Sequence, residues 1–148
     1  MNQEGYLSLA VVSLSTLALV VICVLLHYEA LSQLTGRLKH IRIRPRPRIL
    51  VMIFTILLIH VTEIWIFGLG YFALAHNAAH GQLLAPHAVG LFDYVYYSAT
   101  CYTTLGLGDL TPIGNIRFLT GMESLAGFVL IGWSVSFTYL EMDRFWRG

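Results

Sequence analysis

Three long apolar runs leave a chain like this few ways to fold. Tyr6 to Leu26, Ile49 to Ala75 and Ile116 to Leu140 are dominated by Leu, Val, Ile, Ala and Phe. About 20 residues rising about 1.5 Å each cross a hydrocarbon core of about 30 Å. The stretches between the runs are short connectors with no room for a soluble domain. Charged residues make up only 11% of the 148, where a soluble domain carries about a quarter. The sequence therefore predicts an all-α integral membrane protein with three transmembrane helices.

Charge orders the three runs. Met1 to Gly5 holds Glu4 and no basic residue. The following run lacks the basic lead, shorter apolar stretch and small-residue cleavage site of a secretory signal, so it reads as a retained helix over about 6–26. His27 to Arg48 then collects Arg37, Lys39, Arg42, Arg44, Arg46 and Arg48, leaving only Arg117, Arg144 and Arg147 elsewhere. An excess of Lys and Arg marks the cytoplasmic side. Residues 1–48 are thus expected to form an outer N-terminus, a first span and a basic cytoplasmic connector, with residues 49–148 as the second unit. The Arg44-Pro45-Arg46-Pro47-Arg48 alternation is predicted to be non-helical, because each proline restricts its predecessor. Arginines from Arg37 to Arg48 at a membrane surface suit anionic lipid headgroups rather than nucleic acid. The expected location is the plasma (inner) membrane, multi-pass, with the N-terminus outside and the C-terminus in the cytoplasm.

Ionisable residues inside a span need protein or water beside them. His60 and Glu63 lie three apart in the second run, hence on one helical face. They read first as a polar pair locking helix packing, with a proton or gating site as the alternative. In the outer connector, His76 and His80 have i, i+4 spacing that suits a metal on a helix. No third ligand is evident, and these residues and His87 read as solvated histidines. Cys23 and Cys101 sit in apolar surroundings and are assigned to packing.

Leu91 to Tyr102 is apolar and aromatic but too short to span, which suits a re-entrant helix entering from the outer side. Asp93 falls in its first turn, where a carboxylate complements the helix dipole. The segment Thr103-Thr104-Leu105-Gly106-Leu107-Gly108-Asp109, followed by Leu110-Thr111-Pro112, is nearly uncharged and punctuated by glycine. Non-helical backbone at membrane depth persists only in protein or along a watery path. Gly106 and Gly108 admit backbone angles that other residues resist, so consecutive carbonyls can face one way. A ring of such carbonyls replaces the hydration shell of a cation. Thr104 adds a hydroxyl, and Asp109 a carboxylate at the mouth.

The stretch from Tyr96 to Pro112 resembles the pore helix and selectivity filter of potassium channels. That family shows an aromatic pair and then Thr-x-Thr-Thr-Val-Gly-Tyr-Gly-Asp with a nearby proline. Tyr96 and Tyr97 fall at the aromatic pair, and Thr103, Thr104, Gly106, Gly108, Asp109 and Pro112 match in spacing. The resemblance implies a pore domain with helix 49–75, pore helix 91–102, filter 103–109 and inner helix 116–140, assembled as a homotetramer. It assigns permeant potassium to the carbonyls of Thr104, Leu105, Gly106, Leu107 and Gly108 and to the Thr104 hydroxyl, with no organic cofactor. Thr103, Asp109, Tyr96, Tyr97 and Thr100 become support and outer mouth. Thr100 stands where some relatives keep a carboxylate, and Leu105 and Leu107 replace the family's valine and aromatic residue. Glu123 and Gly127 resemble a Glu-x-x-x-Gly in related pores. Gly127, with Gly132 as a second candidate, is thereby a hinge or a close-packing residue. Phe128, Ile131 and Val135 are the expected cavity wall. Gly68-Leu69-Gly70 lacks the flanking threonines and aspartate, and reads as helix packing.

A potassium-selective channel is therefore expected, not an enzyme, with a non-selective monovalent cation channel as the alternative. Two lesser alternatives are a membrane metal protein using His60, Glu63, His76 and His80, and a non-conducting scaffold.

Overall fold

Each apolar run forms the middle of a long helix in a computed structural model that describes residues 3–40 and 45–146. Helix α1 spans Gln3–His40, α2 Pro45–Ala75, α3 Leu91–Tyr102 and α4 Ile116–Trp146. Among the described residues, α1, α2 and α4 are the three helices long and apolar enough to cross a membrane. Two short strands, β1 (Gln82–Leu84) and β2 (Thr111–Ile113), pair antiparallel with Leu83 opposite Pro112.

The first helix outruns the expected 6–26. Residues expected in the basic connector continue it to His40. Leu31 and Leu34 pack on Met52, Ile56 and Ile59 of α2, while Glu29, Gln33 and Arg37 occupy the exposed side. Those three are linked at i, i+4 spacing, Gln33 Nε2 donating to Glu29 at 3.0 Å and Arg37 to Gln33 at 3.4 Å. An amphipathic extension of this kind stays helical beyond the span. The proline alternation also departs from expectation, because α2 begins at Pro45 and includes Pro47. The first turn of a helix has no internal partner for its N–H groups, so proline there loses nothing and presets φ. Arg42, Arg44 and Arg147 lie outside the described residues.

Strands β1 and β2 were not expected. They join the two ends of the insertion between α2 and α4, so α3 and the segment after it form a closed excursion. Gly81, at φ 111°, and Gly114, at φ 74°, flank this pairing. A Cβ on Gly114 would come within 2.8 Å of Gly81 Cα, so both turns need glycine. The N-terminal end of α1 is tied to the same place. Ser8 Oγ donates to Ala79 O at 2.7 Å and accepts from Asn115 Nδ2 at 2.9 Å.

Two apolar clusters fill the interior. One joins Val12 and Cys23 of α1 to Phe67, Tyr71, Tyr102 and Leu130, and the other holds Leu31, Leu34, Met52, Ile56 and Ile59. Between them on α1, α2 and α4 lie His27, His60, Glu63 and Ser134, three of them fully or nearly fully buried. A polar layer thus separates two dry ones.

Candidate functional site

Helix α3 is fixed at both ends and along one face. At its start, Gly90 N–H donates to Asp93 Oδ2 at 2.7 Å and His87 Nε2 lies 3.2 Å from Asp93 Oδ1. The Gly90 bond, and then the histidine, hold the Asp93 carboxyl below its ordinary range. Along its length α3 lies close against α2 at Gly68, where a Cβ would stand 2.9 Å from Val95 Cα. Gly68 is therefore a packing glycine, as is Gly70, where an added Cβ would meet Leu19 of α1. On the other side, Ser98 Oγ lies 2.5 Å from Glu123 Oε1 and Tyr71 donates to Glu123 Oε2 at 2.6 Å. Glu123, fully buried, thus fastens α4 to α2 and α3.

Beyond Tyr102 the backbone leaves the helix in a regular way. Thr103 N–H donates to Ala99 O at 3.2 Å, Thr104 N–H to Cys101 O at 2.9 Å and Gly106 N–H to Thr100 O at 3.1 Å. The C-terminal carbonyls of α3 are in this way capped by the loop itself. Thr104, Gly106 and Gly108 take φ of 59°, 55° and 80°, while Leu105 and Leu107 do not enter the positive range. Left-handed backbone therefore alternates along the loop. Residues 103–109 are all exposed in the single chain, with Leu105 64% and Leu107 58% accessible.

The support residues divide. Tyr96 donates to Asp109 Oδ2 at 2.8 Å, tying the far end of the loop back to α3, and that bond raises the Tyr96 phenol above its ordinary range. Tyr97 turns away, its hydroxyl 3.0 Å from Thr120 Oγ1 of α4 and its ring edge-on to Tyr71. Thr100 is buried and donates to Tyr97 O at 2.8 Å. A cavity of about 380 Å³ behind the loop is lined by Thr100, Thr104, Gly106, Gly108, Thr120 and Ser124 among others. Below the loop, Thr103 and Thr104 share a recess with Phe128, Ile131 and Gly132. Val135 joins Ile131 and Thr103 in a second recess nearer α2. At Gly127 a Cβ would collide with the carbonyl of Tyr102, so α4 touches the last residue of α3 there. Nothing lies within 4 Å of a Cβ on Gly132.

His60 and Glu63 are joined by a residue that sequence reasoning missed. His27, placed in the connector by its position after the first apolar run, is fully buried with Nδ1 2.9 Å from Glu63 Oε1. His60 Nδ1 lies 3.1 Å from Glu63 Oε2 and 2.9 Å from the Tyr102 hydroxyl, which itself donates to Glu63 at 2.5 Å. Ser134 Oγ stands 3.1 Å from His60 Nε2 and 3.3 Å from His27 Nε2. The metal alternative is corrected in its membership. His76 lies beyond the end of α2, bonded to Phe72 O, and His80 sits beside Ser8, so neither reaches His60 or Glu63. Among the described residues, it is the ligand atoms of His27, His60 and Glu63 that lie within 4.8 Å of one another. A basic residue pattern gave no hint of this, although a histidine at the end of an apolar run was a signal that could have been weighed.

The sequence profile of the ion channel family matches residues 48–141, well over half of the chain. The chain belongs to the ion channel family. The match starts in the first turn of α2 and takes in α3, the loop and most of α4. This ion channel is accordingly a transport protein rather than an enzyme, and its three apolar helices make it a multi-pass membrane protein. Channels of this family are generally oligomeric. A curated relative, Protein LctB of Geobacillus stearothermophilus, is 29% identical over 84 residues, 53% of this chain. The match spans 63% of that relative's own length, less than two thirds. No solved structure matches the chain significantly.

Proposed function

We propose that four copies of the chain surround the loop at 103–109 and that potassium passes through it in single file. The observation that carries this reading is the alternation of left-handed backbone at Thr104, Gly106 and Gly108. Where the hand of φ alternates, successive peptide groups turn the same way, and carbonyls gather on one side of the strand. Four such strands around an axis offer an ion stacked rings of carbonyl oxygens in place of water. Helix α3 serves as the re-entrant pore helix, with its negative end beside the loop. Phe128, Ile131 and Val135 line the cavity below, and the exposed leucines are covered by neighbouring copies. The N-terminus lies outside, and the basic residues between α1 and α2 lie against anionic lipid on the cytoplasmic side of the inner membrane.

The alternative is a cation channel that does not distinguish potassium from sodium. Leu107 favours it, since an aromatic residue is absent there and the hydroxyl bond holding the loop's outer end comes from Tyr96 instead. Reconstituted vesicles test conduction itself. Flux down a potassium gradient should be blocked by barium, an ion of similar size and double charge. Gly106→Ala should lower it by about tenfold or more, because an L residue at φ 55° resists a conformation costing about 1–2 kcal/mol per residue in each subunit. Barium-insensitive flux that survives Gly106→Ala would place the path elsewhere.

A further inference from the structure

The polar layer of His27, His60, Glu63, Tyr102 and Ser134 lies outside the loop, and its hydrogen bonds can be counted. Five links close it. His27 Nδ1 meets Glu63 Oε1, and Tyr102 donates to Glu63 Oε2. The His60 Nδ1 side faces Tyr102 and Glu63 together, and counts as one shared link. Ser134 Oγ meets both imidazole Nε2 atoms.

Each link needs one proton. With Glu63 ionised and both imidazoles neutral, His27, His60, Tyr102 and Ser134 contribute one apiece, one fewer than the links require. With His60 protonated at Nδ1 the shortfall falls on Ser134, which faces two nitrogens and has a single proton to give; with His60 protonated at Nε2 it falls on His60 Nδ1. A further proton completes the ring. Whether it resides as imidazolium beside carboxylate or as a neutral carboxyl beside two neutral imidazoles, the layer then carries no net charge. Without it, a buried layer between two apolar clusters keeps one negative charge and one link unmade, both costly away from water.

We propose that this layer is a binding site for one exchangeable proton, and that the proton couples the first helix to the base of the ion path through Tyr102. Tyr102 is the last residue of α3 and precedes Thr103 directly. Its carbonyl rests against Gly127 of α4, and its hydroxyl is the layer's hold on the loop. His60, 14% accessible, is the layer's least buried member and borders an apolar recess of about 500 Å³ that also reaches Thr103. The other titratable groups facing the layer are Cys23 on α1 and Glu123 on α4, and Glu123 is already engaged by Ser98 and Tyr71. A divalent metal held by His27, His60 and Glu63 would leave one excess positive charge in the same dry surroundings and compete with Tyr102 for the Glu63 carboxylate. A proton leaves none.

The effect on flux rests on the conduction reading above, whereas the proton site itself does not. Full-length protein labelled with ¹⁵N-histidine and ¹³C-glutamate in lipid nanodiscs reads the proton wherever it resides. Across a pH series the wild type should show one protonation change shared by the two imidazoles and the Glu63 carboxyl. Vesicle flux should fall along the same curve, by at most about tenfold per pH unit, the limit for a single proton. Glu63→Gln supplies the missing proton from its own amide. It should conduct with no such fall and show two neutral imidazoles throughout. Spectra of the wild type that do not titrate would overturn the proposal, whether or not the variant folds. So would an identical flux profile in wild type and Glu63→Gln, or stoichiometric zinc retained by the wild type and lost from the variant. Because the spectra need no conduction, failure of the site is distinguishable from failure of the channel reading.

Discussion

Thr104 is the one non-glycine residue at positive φ among those described, and a β-branched side chain is held there only when its surroundings insist. The insistence comes from below: its own N–H is bound to Cys101 O, and the next capping bond, from Gly106 to Thr100, closes over it. The glycines and threonines of this loop were legible because few other residues tolerate such backbone. Of the partners of Glu63, His60 was legible from its spacing, but His27 was not, since it lies 36 positions away and nothing in local spacing connects the two. Asp93 was legible as a helix-start residue, and its behaviour with pH follows from its bonds. Its carboxyl titrates below its ordinary value in the folded chain because the Gly90 N–H and His87 favour the charged form. The folded state therefore binds that proton less readily than the unfolded state. The stabilisation is present above the usual carboxylate range near pH 4 and is lost as pH falls through the depressed folded value. Thermal melts of wild type and Asp93→Ala in detergent should differ at neutral pH and converge in acid. A constant gap would show that the carboxylate contributes nothing beyond shape.

At the scale of elements, the three long helices follow from hydrophobicity alone, and their ends do not. The continuation of α1 to His40 depends on Leu31 and Leu34 finding Met52, Ile56 and Ile59, a contact between distant segments. Strands β1 and β2 are three residues each, too short to signal themselves, and form because the fold brings the two ends of the insertion together. Glycines in these helices looked alike in the sequence but occupy different surroundings. Gly68 is covered by the backbone of α3, whereas Gly132 has nothing near it. Gly68→Ala should therefore destabilise the protein in detergent by about 1–3 kcal/mol, the usual result of overpacking. Gly132→Ala should instead stabilise it slightly, by about 0.4–1 kcal/mol, because the helix there gains a residue with less unfolded freedom. Equal effects at the two positions would mean that α2 and α3 are not packed as described.

As a single chain the molecule leaves most of its apolar helix surface uncovered. Only 17%, 22% and 33% of the most apolar windows of α1, α2 and α4 are buried within it, which leaves apolar faces open to a membrane. Among the described residues the loop is the longest wholly exposed stretch, with every residue from 103 to 109 exposed. Family membership makes this an ion channel, and the four-fold arrangement proposed here would cover Leu105 and Leu107 while gathering the loop carbonyls around one axis. On that arrangement, Tyr96 and Asp109 brace the loop in the way an aromatic residue at position 107 otherwise would, and α1 reaches the ion path through His27 and Tyr102. The measurement that bears most directly on it is the reversal potential of reconstituted channels between potassium on one side and sodium on the other. A potassium-selective ring of carbonyls should displace that potential by about 59 mV or more, corresponding to at least a tenfold preference for a monovalent ion. A reversal potential at zero would contradict it and leave a channel that conducts both ions alike.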